Sequence, residues 1–288
     1  WIGRVPAVLE AWFSGSEAGN ALADVVFGAV NPSGKLPFTF PVRLEDNSAH
    51  ALGEYPGTDK VTYNESIFVG YRWHDKERIK PLFAFGHGLS YTTFDWTVGD
   101  ASASEIELGT TITVPVTVKN TGSVAGKDVV QLYASAPYTL GGIEKAHKVL
   151  VGFAKTKLLQ PGESKTVTVS FDPYSAASYD YRDANSNGFS GYELEAGEYT
   201  LYVSRNAHES EKAIALNLAA DVQIGTDPTT DSEVVNRYTD SENFLDSDWQ
   251  LDTMLSRADW EGTWPTPQTA QQHAGTDRLY EEIRSEEH

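Results

Sequence analysis

Between residues 100 and 224 the chain falls into short stretches of alternating apolar and polar residues, each closed by a turn rich in Gly, Pro or Asn. That rhythm confines this part of the protein to antiparallel β-structure, because a period of two suits a half-buried strand and nothing else. The stretches are Thr111 to Lys119, Asp128 to Ser135, Lys148 to Lys155, Ser164 to Phe171, Gly197 to Arg205 and Ala213 to Ala219. Between them stand Asn120-Thr121-Gly122, Gln160-Pro161-Gly162-Glu163 and Glu195-Ala196-Gly197-Glu198, turn chemistry at the spacing of a β-sandwich.

The first hundred residues read differently. Pro6 to Phe13 (PAVLEAWF) has the composition of a buried strand, Ser14 to Gly19 that of a loop, and Asn20 to Phe27 that of a helix with Leu22, Val25 and Val26 on one face. Strand, Gly-rich loop and helix make one parallel α/β unit, which the chain enters part-way. The loop lacks both the dinucleotide glycine spacing and the Lys-Ser/Thr of a phosphate loop, so packing is its expected role. A turn at Asn31-Pro32-Ser33-Gly34 leads into an expected strand at Lys35 to Phe40.

Charge and composition narrow the partners. With 22 Lys and Arg against 41 Asp and Glu, the formal charge of −19 repels phosphate backbones and anionic bilayers. Neither nucleic acid nor membrane is therefore expected; a neutral partner such as a sugar fits. There is no Cys, so neither disulfides nor thiolate metal sites can form. The chain reads as soluble, cytoplasmic or secreted. Its seven His residues show no metal-ligand spacing, and no metal or other cofactor is expected. Asp183-Ala184-Asn185-Ser186-Asn187-Gly188 opens like a calcium loop, but the closing carboxylate would fall at Leu194, flanked by Glu193 and Glu195. An Asx-rich turn is the preferred reading there. Asn64-Glu65-Ser66 is a formal glycosylation sequon, of consequence only in a secreted eukaryotic protein.

Three strings occur in fixed order: NPSGKLPFTFP at Asn31 to Pro41, VGYRWHD at Val69 to Asp75, and FGHGLSYTTF at Phe85 to Phe94. Together they resemble glycoside hydrolase family 3, and LLQPGESKTVTVSF with GEYTLYVS resembles the fibronectin type III-like domain found in many of its members. The resemblance implies an α/β + all-β chain: the C-terminal part of an α/β sandwich domain over residues 1–99, a fibronectin type III-like β-sandwich over 100–224, and an acidic linker over 225–288. SRADWEGTWPTP, from Ser256 to Pro267, looks like the approach to a (β/α)8 barrel. That implies an inverted domain order, with a C-terminal extension wrapped over the other domains as the alternative.

The implied activity is that of a retaining exo-β-glycosidase of β-glucosidase type, removing terminal non-reducing β-D-glucosyl residues. A β-xylosidase, an N-acetylglucosaminidase or a stand-alone carbohydrate-binding module are the alternatives. Such an enzyme needs two carboxyl groups about 5 Å apart. By resemblance both lie outside this chain, which would be non-catalytic until a complementary barrel segment completes it; a β-glucoside or oligosaccharide is the implied substrate, and a homo-oligomer stays open. Glu10, Glu17, Glu54 and Glu65 are among the early glutamates, and Glu65, by resemblance close to the domain interface, is the best candidate for supporting the site. Tyr63, Tyr71 and Trp73, with Trp12, are candidates for stacking on a pyranose ring. Gly86 and Gly88 suit a structural corner around His87, with Leu89, Tyr91 and Phe94 expected to supply its burial.

Overall fold

The computed structural model describes residues 2–57, 63–74, 79–235 and 254–258. Two β-sheets dominate it. One has the order β1-β2-β5, built from β1 (Phe94–Val98), β2 (Ile112–Asn120) and β5 (Ser164–Phe171). The other runs β4-β3-β8-β9, from β3 (Val129–Ser135), β4 (Val149–Lys155), β8 (Gly197–Asn206) and β9 (Glu209–Leu218). Every pairing within them is antiparallel. A small third sheet joins β6 (Ser178–Asp180), β7 (Gly191–Leu194) and β10 (Val222–Ile224) at one end.

The core follows from the alternation. Ile112, Val114, Val116 and Val118 of β2 meet Val130, Leu132 and Ala134 of β3, with Val169 and Phe171 of β5 and Leu201 and Val203 of β8 closing the same cluster. Alternate residues share one face of a strand, so a single run of small and branched side chains fills the space between two sheets. Strand β3 is the exception that positions the rest of the molecule. Its outward residues Gln131 and Tyr133 are buried as completely as its core-facing ones, because the N-terminal region lies against them.

Turn chemistry behaves as its residues require. Pro161 sets the first corner of the Gln160–Glu163 turn, Gly162 takes φ +81°, and the Glu163 N–H donates to the Gln160 carbonyl at 2.9 Å. The six expected strands form within a few residues of their predicted bounds. Strands β1, β6, β7 and β10 were not foreseen, since three- to five-residue stretches carry too few alternations to register.

In the first ninety residues the helix forms as α1 (Ala18–Val26), and a second short helix, α2 (Ser48–Ala51), follows. The two expected strands do not form. Pro6 to Phe13 is irregular and exposed, with Phe13 wholly so. A parallel strand exists only by pairing with neighbours, and no described residue pairs with it. Lys35 to Phe40 is reduced to a bridge between Phe40 and Phe83, with Leu36 trading backbone hydrogen bonds with Gly86 and His87. Pro37 offers no N–H in the middle of that stretch, which interrupts the ladder.

Candidate functional site

The motif around His87 is a corner seated on the sandwich. Gly86 has φ +80°, and a side chain there would collide with the Gln131 amide. The Gln131 Nε2 donates to the Gly86 and Arg205 carbonyls at 3.0 and 2.7 Å, while its Oε1 accepts from the Tyr133 hydroxyl at 2.7 Å. The Ala207 N–H reaches back to the Phe85 carbonyl at 2.9 Å. His87 itself stacks on Phe83, and burial holds its ring below the ordinary imidazole range. It is wedged as part of the scaffold.

The string beginning at Asn31 belongs to the same construction. Asn31 Oδ1 accepts from the Ser90 hydroxyl and the Tyr91 N–H, and its Nδ2 donates to the Ala125 carbonyl at 3.0 Å. Lys35 Nζ donates to the Gly88 carbonyl at 2.8 Å and faces Asp128 at 3.4 Å. Gly88 lies so close to the Gly34 carbonyl that a Cβ would sit 2.3 Å from it. Two motifs separated by fifty residues are thus hydrogen-bond partners, and both grip the sandwich. One expectation fails here: Leu89 is 78% exposed and adds no burial to the corner, whereas Phe94 packs on the core and Tyr91 acts through its hydroxyl on the Val25 carbonyl. The glycines and the amide network hold the corner without Leu89.

Glu65 sits on a tight turn, with Ser66 in the left-handed region at φ 52°. It is 9% exposed, and its Oε2 is buried without a hydrogen-bond partner. The other early glutamate that matters, Glu54, brings its carboxylate to the Asn64 N–H at 3.1 and 3.3 Å and faces Glu65. Burial and the hydrogen bond with Glu65 push Glu54 up to about 7, against the opposing pull of the Asn64 N–H. Two carboxyl groups confined together share a proton more readily than they both ionise. A carbon-13 titration of the Glu54 carboxyl is expected to show a midpoint near 7, and Glu65→Gln should lower it. Because the folded value lies above the ordinary one, this group favours folding at low pH, and that contribution fades as pH rises from about 4.5 through 7. A midpoint below 5 in the unmodified chain would refute the shared proton.

The aromatic candidates separate. Trp73 is 1% exposed, packed with Ala51, Phe68 and Leu255, and its Nε1–H donates to the Asp46 carbonyl at 2.7 Å. It is core, and no ring face is left for a sugar; the 3₁₀ turn Gly70–Arg72 rotates it inward. Tyr71 lies in the seam, its ring against Phe85 and Tyr133 and its hydroxyl accepting the Leu150 N–H at 3.0 Å. Tyr63 is 72% exposed beside the Glu65 turn, and Trp12, half exposed, packs edge-on against Phe38. The structure therefore unites Glu65 with Glu54, sets Tyr63 beside them, and assigns Tyr71 and Trp73 to packing. Glu54 was legible only as one of several glutamates, since nothing in sequence marks two residues eleven apart as facing each other.

Residues 1–91 match the Glycosyl hydrolase family 3 C-terminal domain, and residues 128–207 match a Fibronectin type III-like domain. Residues 1–91 are thus a family 3 C-terminal domain, followed by a fibronectin type III-like domain. The chain is 39% identical over 242 residues to Thermostable beta-glucosidase B of Acetivibrio thermocellus, covering 84% of the chain and 31% of that protein. It is 44% identical over 225 residues to a beta-glucosidase of Rhizobium radiobacter, covering 77% and 26%. Among solved structures it resembles beta-glucosidase 3B from Thermotoga neapolitana in complex with glucose, at 37% identity and a TM-score of 0.61, over 72% of this chain and 27% of that one. The beta-glucosidase from Kluyveromyces marxianus in complex with glucose gives 36% and 0.65, over 77% and 25%. The chain thus spans about a quarter to a third of the length of these relatives.

Within the fibronectin type III-like domain, the loop from Asp183 to Gly188 engages its oxygens internally. The Asp183 carboxylate accepts from the backbone N–H groups of Asn187 and Gly188, and the side-chain amides of Asn185 and Asn187 donate to Glu193. That is the Asx-turn arrangement. Among the described residues, no three His, Asp or Glu side chains are arranged to hold a metal ion. Calorimetric titration with calcium is expected to show no binding below the millimolar range, and submillimolar binding lost in Asp183→Ala would show that Glu193 closes a cage after all. No helix among the described residues is long and apolar enough to cross a membrane.

Proposed function

We propose that this chain is part of a retaining exo-β-glycosidase that removes terminal non-reducing β-D-glucosyl residues, and that it works only when completed by a (β/α)8 barrel. On this reading residues 1–99 are the later part of the α/β domain, 100–224 the sandwich, and 225–288 an acidic linker toward the barrel. Most of the linker, and all of SRADWEGTWPTP beyond Ala258, lies outside the described residues. The observation that carries the proposal is the naming of the relatives as β-glucosidases at about 40% identity, combined with how small a share of each the chain covers. The surface supports it: Val8, Leu9, Trp12, Phe13, Val26 and Phe27 are exposed along the N-terminal stretch and α1, and none of α1 is buried. So many exposed large apolar side chains within one stretch of chain mark an interaction surface. What the chain contributes is then a rigid wall, with the Glu54–Glu65 pair and Tyr63 as its polar and aromatic features.

Co-expression with a family 3 barrel polypeptide tests this. The complex is expected to release 4-nitrophenol from the β-glucoside faster than from the β-xyloside or N-acetyl-β-glucosaminide. Preference for either of the latter would reassign the substrate, and a stable complex cleaving none of them would refute the reading.

A further inference from the structure

We propose that residues 254–258 are a clip, docked in a notch where the N-terminal region meets the sandwich, which locks the Asn64–Glu65 turn and the loop from Tyr138 to His147 to each other. The notch has an apolar half and a polar half. On the first, Leu255 is 5% exposed, packed with Ala51, Phe68 and Trp73, and its N–H donates to the Asn64 carbonyl at 2.6 Å. On the second, Glu144 accepts the Ser256 hydroxyl at 2.7 Å and the Arg257 N–H at 2.9 Å, one on each carboxylate oxygen. The Arg257 guanidinium lies over the Tyr138 ring, 4.5 Å from its centroid, and points at the Ala146 carbonyl and His147 Nδ1. Three consecutive residues therefore contact two parts of the chain that are some eighty residues apart in sequence.

The chemistry of the notch fits a Leu-Ser-Arg segment and little else. A buried apolar slot admits Leu without cost, whereas Asp or Lys there would be stranded away from water. A carboxylate that receives both a hydroxyl and a backbone N–H binds the strand between them in one register. Arg adds a planar cation over an aromatic face, which Lys reproduces less well. Because Leu255 holds Asn64, the clip also fixes the turn on which Glu65 sits. Residues 254–258 thereby become a positioning element for the proposed wall, and the inference stands on contacts within this chain, whether or not the reading as a β-glucosidase holds.

Arg257 leaves a second mark. Lys145, buried and paired with Glu195, is pulled down to about 8 by burial first and by Arg257 next, against Asp221, Glu193 and Asp180. Removing Arg257 should raise it.

Hydrogen exchange on the full chain tests the clip. The Leu255 and Arg257 amides are expected to exchange about tenfold or more slowly than in an unstructured peptide of the same sequence. Leu255→Asp should abolish protection at both and accelerate exchange in residues 63–68 and 143–147 together. Arg257→Ala, which leaves the apolar half intact and so guards against simple misfolding, should raise the Lys145 amine titration toward its ordinary value. Unprotected amides at 255 and 257 in the unmodified chain would overturn the proposal. So would a Leu255→Asp variant whose sandwich loop exchanges as before, or a Lys145 titration indifferent to Arg257.

Discussion

The purified chain, assayed alone, will hydrolyse no aryl β-glucoside above the rate of buffer. Retention of configuration needs one carboxylate to attack the anomeric carbon and a second carboxyl, about 5 Å away, to protonate the leaving oxygen. The described residues do bring two carboxyl groups together, Glu54 and Glu65, but Glu65 is buried and its neighbour is partly protonated near neutrality. A buried acid that no substrate can reach performs no displacement. The expected role of the pair is to support a wall of the site, so Glu65→Gln should leave the isolated chain as inactive as before. In the completed enzyme it should alter the rate by far less than the roughly 10² to 10⁴-fold cost of removing a true acid/base group. Turnover by the chain alone, abolished by Glu65→Gln, would show that the catalytic pair is here.

Gly86→Ala should be among the most damaging single substitutions outside the sandwich core. At φ +80° an L-residue is already strained by roughly 1–2 kcal/mol. The new Cβ would also fall 2.0 Å from Gln131 Oε1. That amide cannot swing aside cheaply, since it bonds the Gly86 and Arg205 carbonyls and the Tyr133 hydroxyl. Displacing it leaves buried polar groups unsatisfied, at about 1–3 kcal/mol. The sum is about 2–5 kcal/mol, or a fall in Tm of roughly 10 °C for a chain of this size. The double variant Gly86→Ala/Gln131→Ala should lose less than the two single losses added together, because removing the Gln131 side chain relieves the collision and the loss of its hydrogen bonds is otherwise counted in both. Melting within a degree or two of the parent would mean that the corner is not seated on the sandwich as described.

How far the sequence reached depended on how local the cause was. Alternation along Ile112–Asn120 and Ser164–Phe171, with Gln160-Pro161-Gly162-Glu163 between strands, determined a β-sandwich unaided, because side-chain period and turn conformation are properties of adjacent residues. The third string indicated a corner at Gly86 for the same reason, since its φ of +80° is a preference written in the residue, whereas Gly88 is required by its close approach to the distant Gly34 carbonyl. Where pairing with a distant segment was needed, composition misled. Pro6 to Phe13 has the residues of a buried strand but no described neighbour to bond to, and Pro37 broke the ladder that Phe40 begins.

Side-chain direction was equally out of reach. Trp73 and Tyr71 look alike on paper as flat sugar-binding surfaces, yet tertiary packing turned one into a core and the other into a seam. The pairing of Asn31 with Tyr91, of Gln131 with Gly86, of Glu54 with Glu65 and of Arg257 with Glu144 depends on how the chain folds back on itself. Hydrogen bonds act over a few ångströms of space and carry no trace of their partners in local sequence. The sequence alone thus determined which elements form and how they turn; the tertiary structure decided which side chains face one another, and the proposed site consists of those encounters.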